Sequence, residues 1–69
     1  MKMNVVGKVN KGQHAGWFVK VEPDLGGYYV FFCSITDFES REGKGYDHWY
    51  PTLEDAERCI NGLDVEWLE

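Results

Sequence analysis

Long apolar runs are missing from this chain of 69 residues. In the opening "MKMNVVGKVN", Val5 and Val6 run directly into Gly7 and Lys8, too short a stretch for a signal peptide or a membrane span. A cytoplasmic protein is the expectation. Cysteine is scarce: Cys33 and Cys59 form no disulfide framework and are expected as small buried apolar residues. The scattered set of His14, Cys33, His48 and Cys59 lacks the paired spacing of a metal centre, so no metal or other cofactor is expected. There are no repeats and no low-complexity linkers, which leaves one domain, residues 1–69. Basic residues are few beyond position 20, where Arg41, Lys44 and Arg58 stand against all twelve acids. Phosphate binding draws most of its affinity from Lys and Arg, so that balance argues against nucleic acid.

What the chain has in plenty is rings. Aromatic residues make up 16% and hydrophobic residues 43%, a composition that excludes disorder. A domain this small hides only about 60% of its unfolded surface, so not every ring can be interior. Charge is also unevenly placed. Residues 1–20 hold four lysines and no acid, whereas six acids and one base follow from Thr52 onward. The total is −5. A solvated acidic face accounts for this, but acids beside rings also suit a surface that steers a cationic partner.

Periodicity gives the elements. "MNVVGKVN" reads as a short strand. "GWFVKVE" alternates, with Trp17, Val19 and Val21 on one side and Phe18, Lys20 and Glu22 on the other. Pro23 is expected to halt it, and Gly26-Gly27 to supply the positive-φ positions of a tight hairpin. The returning strand "GGYYVFFCSIT" carries large side chains on both faces. The polar "TDFESREGKG" reads as an exposed loop, and "YDHWYP" as a short strand or the approach to a helix. Thr52 is the expected N-cap, with Asp55 completing a capping box. Leu53, Ala56, Ile60 and Leu63 supply the apolar stripe, and Asn61-Gly62 the stop. "DVEWL" then alternates, with Val65 and Trp67 inward. The expected fold is α+β: a small antiparallel sheet of three to four strands with one short helix on one face, in the order β-β-β-α-β. The opposite face lacks a cover, and Tyr28, Phe32 or the rings of "DHWYP" are expected there.

Catalytic patterns do not emerge. Asp47-His48 could orient an imidazole, but adjacent side chains diverge and no nucleophile stands at a recognisable spacing, so the protein is expected not to be an enzyme. "REGKGY" lacks the phosphate-cradling glycine pattern.

Two resemblances follow from quoted residues. "EPDLGGYYVFF", with "TLEDAE" further on, resembles the HicB-type antitoxin core. That resemblance implies a partial RNase-H-like sheet and the blocking of a small basic toxin. The match covers under a third of the chain. It departs at "CSITDFESREGKGYDHWYP", and no DNA-binding tail follows. "HAGWFVKVEPDLGGYYVFF", "YDHWY" and "VEWL" look like small acidic immunity proteins encoded beside bacterial polymorphic toxins. Both imply a non-catalytic acidic protein that neutralises a basic partner, a bacterial toxin or nuclease. Tyr46, Asp47, Trp49 and Tyr50 are the expected loop anchors, and Glu39, Glu42, Glu54, Asp55 and Glu57 the acidic field. Core packing is the competing role for Trp49. A sheet-based RNA-binding module and a homo-oligomerisation domain, including a homodimer, are the alternative functions.

Overall fold

A computed structural model describes residues 1–38 and 43–69. Five strands and one helix follow in the order β1 (Gly7–Val9), β2 (Phe18–Asp24), β3 (Gly27–Cys33), β4 (Gly45–Tyr50), α1 (Leu53–Asn61) and β5 (Val65–Trp67). The mixed α+β class holds. The sheet, however, has five strands rather than three to four, because the "YDHWYP" region forms a full edge strand. The paired strands are all antiparallel, in the spatial order β4-β3-β2-β1-β5, and Met3 adds an isolated parallel bridge to Val21.

The β2–β3 hairpin is the longest pairing. Its two-residue turn places Leu25 (φ 52°) and Gly26 (φ 77°) in the left-handed region, the type I′ geometry that matches strand twist. Gly27 is not a turn glycine. It pairs with Asp24, and a Cβ there would strike the Trp49 indole and the Tyr50 carbonyl. Pro23 does not halt β2 either, since it pairs with Tyr28. Val9 N–H bonds to Trp17 O and Asn4 N–H to Val21 O, so the odd residues of β2 face the β1 side. β1 has ended before Pro23, which therefore needs no N–H.

The connection from β4 to β5 carries the chain from one edge of the sheet to the other, and α1 forms within it. Thr52 caps the helix by accepting from Asp55 N–H at 3.2 Å. The Asp55 carboxylate turns instead to Arg58. Leu53, expected in the apolar stripe, is 39% exposed, while Ala56 and Ile60 are buried. Gly62 remains right-handed, and the positive φ after the helix falls on Asp64. Ala56 and Ile60 close over Val9, Val19, Val21, Val30 and Phe32, with Trp17, Tyr28, Tyr50, Val65 and Trp67 around them. Four fully buried valines suit strands, where a branched Cβ fits the pleat.

One expectation is reversed here. Tyr28 and Phe32 belong to the covered face, because the turn register sets Phe32 opposite the inward Val19 and Tyr28 opposite Pro23.

Candidate functional site

The sheet face opposite α1 is built by alternation. Phe18, Lys20 and Glu22 of β2 share it with Tyr29 and Phe31 of β3 and with Asp47 and Trp49 of β4. Tyr29 and Phe31 stack at 5.5 Å between ring centroids with planes 24° apart. Trp49 stands opposite Tyr29, lies over Gly27 and donates its indole N–H to Asp24 O at 3.2 Å. The ring is thus held in place while 43% exposed, a rigid and accessible anchor. Lys20 and Glu22 lie 3.7 Å apart across the same face. At its far end the β3–β4 connection folds over Cys33, whose thiol approaches Asp37 O at 3.9 Å. A cavity of about 400 Å3 opens there, between Phe31, Phe38, Tyr46 and Asp47.

β4 is the edge strand, and the expected loop anchors all lie on it rather than on a loop. The pleat separates them. Asp47 and Trp49 point to the open face, whereas Tyr46, His48 and Tyr50 point to the helix side. Tyr46 is 38% exposed and stacks on Phe32 at 4.9 Å, with His14 at 5.1 Å and His48 at 5.4 Å. A hollow of about 240 Å3 lies between β4 and the helix, bordered by His14, Tyr46, His48, Tyr50 and Cys59. The Cys59 side chain, followed by burial, pushes the Tyr50 phenol up to about 12. Burial, then Cys59, also raises Tyr46. Both phenols therefore stay protonated at neutral pH. Among the described residues, no group of three or more His, Cys, Asp or Glu side chains converges as a metal site.

The acidic field is reduced. Arg58 engages Glu54 at 3.2 Å and Asp55 at 3.5 Å, which leaves Glu57 as the helix acid outside an ion pair among the described residues. Glu39 and Glu42 lie outside the described residues. Missing from the expected site were Phe18, Tyr29 and Phe31. The signal for them was the two-residue turn, which aligns Tyr29 with Glu22 and Phe31 with Lys20, residues already read as outward.

No family model matches the chain, and no curated protein or solved structure matches it either. No helix among the described residues is long and apolar enough to cross a membrane.

Proposed function

We propose that this protein is a non-catalytic acidic binding protein that docks on and neutralises a basic partner protein, a bacterial toxin or nuclease. The observation that carries the reading is the uncovered sheet face, where Phe18, Tyr29, Phe31 and Trp49 gather without a covering helix. Glu22 and Asp47 lie among them. Rings of this kind, fixed and partly desolvated, are the usual hot spots of protein interfaces. The net charge of −5 favours fast encounter with a cationic surface.

The test begins with co-purification from a bacterial host and reconstitution of the recovered basic protein, with inhibition of its activity as the readout. Trp49→Ala and Tyr29→Ala should each weaken binding by roughly 30-fold, the equivalent of a 2 kcal/mol hot spot, with far-ultraviolet circular dichroism unchanged. Binding unaltered in both variants, or a bound protein whose activity is not inhibited, overturns the reading.

One feature favours a second reading, a single-stranded nucleic acid site. The Tyr29–Phe31 stack beside Lys20 is a plausible base platform. A gel shift with single-stranded RNA that collapses with modest salt would support it. No shift at low salt would dismiss it.

A further inference from the structure

The backbone of β4 has a free side. Ser34 N–H bonds to Lys44 O at 2.8 Å, which fixes the alternation along the β3–β4 ladder. Lys44, Tyr46, His48 and Tyr50 turn their main-chain groups toward β3. Gly45, Asp47 and Trp49 turn theirs away from the sheet, and among the described residues nothing pairs with them. Soluble proteins protect such an edge with proline, lysine, a bulge or a very short strand. The opposite edge, β5, is three residues long, and the free flank of β2 ends in Pro23. β4 runs for six residues with none of these devices inside it.

Beyond Lys44 at the entry to β4, the flanking charge has one sign. Between positions 45 and 57 the chain holds Asp47, Glu54, Asp55 and Glu57 and no Lys or Arg. Arg58, the next residue, is taken up by Glu54 and Asp55. A second copy of the chain would bring the same carboxylates to its own edge, and pairing centred on Asp47 would set that acid opposite itself. The separated anchors add a geometric argument. Tyr46 and Tyr50 on one face and Asp47 and Trp49 on the other are reached together only from the edge between them.

From these observations we infer that β4 is a strand-addition site for an extended, lysine- or arginine-bearing segment of a protein partner, which pairs with the outward groups of Gly45, Asp47 and Trp49. The inference rests on the basic-partner reading and specifies how the partner is held. Main-chain hydrogen bonds would supply affinity, and basic side chains at alternate positions, which share one face, would meet Asp47 on the open face.

The probe is a blocked hexapeptide of alternating Lys and Val, with a Glu–Val peptide as control, followed by amide-resolved NMR. In the free protein, the Asp47 and Trp49 amides should exchange rapidly while those of Tyr46 and His48 should be protected. The Lys–Val peptide should slow the two outward amides by roughly tenfold or more, and the Glu–Val peptide should not. Asp47→Pro removes an outward donor without touching the β3 ladder and should abolish the effect. Asp47→Asn should keep the protection and weaken affinity a few-fold. The comparison of outward with inward amides in the unaltered protein stands even if the proline variant misfolds. Shifts confined to the open face or the helix acids, with β4 amides unchanged, would overturn strand addition while leaving a basic partner in place. No response to the Lys–Val peptide also overturns it, whereas failure of the broader reading shows in the inhibition assay. Concentration-dependent protection without peptide would assign the edge to a second copy instead.

Discussion

Phe32 and Phe31 are neighbours in β3 with different surroundings. Phe32 faces Val19 beneath the helix and is 5% exposed. Phe31 faces Lys20, half-buried, with Tyr29 stacked beside it. The difference comes from one crossover. A single helix, carried from β4 toward β5, can cover one side of a five-stranded sheet and no more. The covered side centres on four buried valines, with Phe32 and a margin of Trp17, Tyr28, Tyr50 and Trp67 packed around them under the helix. The open side is made of flat rings and opposed charges, which contact one another laterally and leave area for something else.

The largest test of that contrast is a pair of truncations. Phe32→Ala should cost about 3–5 kcal/mol, enough to unfold much of so small a domain, whereas Phe31→Ala should cost about 1 kcal/mol or less. Urea unfolding measures both, and equal losses would erase the distinction between the faces. Gly27→Ala comes next. It adds a methyl group to the open side where the Trp49 ring already lies, and should destabilise by about 1–3 kcal/mol. An unchanged midpoint would mean that the indole moves aside freely. Thr52→Ala removes the helix cap and should cost about 1 kcal/mol, loosening the cover over Ile60. Thr52→Asp should recover most of that loss.

The smallest effect is confined to alkaline solution. The folded-state value of Tyr50 lies above the ordinary value of 10.0, at about 12. Its contribution is therefore complete below pH 10 and is lost as pH rises toward 12, because the unfolded chain releases the proton first. Tyr50→Phe should flatten the fall in stability across that window. Far-ultraviolet circular dichroism against pH is the measurement, and an identical alkaline decline in both proteins would remove Tyr50 from the covered face's chemistry.

Local signals in the chain were read well where they were local in origin. The hairpin was legible because the turn lies within "DLGG", and α1 because Thr52 and the Ala56–Ile60 spacing are close in sequence. β4 was ambiguous for a physical reason. An edge strand reached from both faces has no apolar–polar alternation, and "YDHWY" shows none. Phe18, Tyr29 and Phe31 were missed because both strand faces carry large side chains, and only the register set by the two-residue turn assigns these three to the face of Lys20 and Glu22. The pairing of Arg58 with Glu54 was, by contrast, present in the i,i+4 spacing and reduces the acidity expected of the helix.

The pairing of β1 with β5 sets Gly7 opposite Trp67, the largest separation along the chain of any strand contact in the molecule. Closing so long a loop delays its reward, whereas the β2–β3 turn closes over two residues. The hairpin should therefore form early and the β1–β5 seam last. In native-state hydrogen exchange, the Glu66 and Leu68 amides, which face β1, should open at lower free energy than those of Lys20 and Phe31 in the hairpin ladder. The weakest seam of the fold then lies at the far edge from β4, so local opening there leaves the exposed flank of β4 in register.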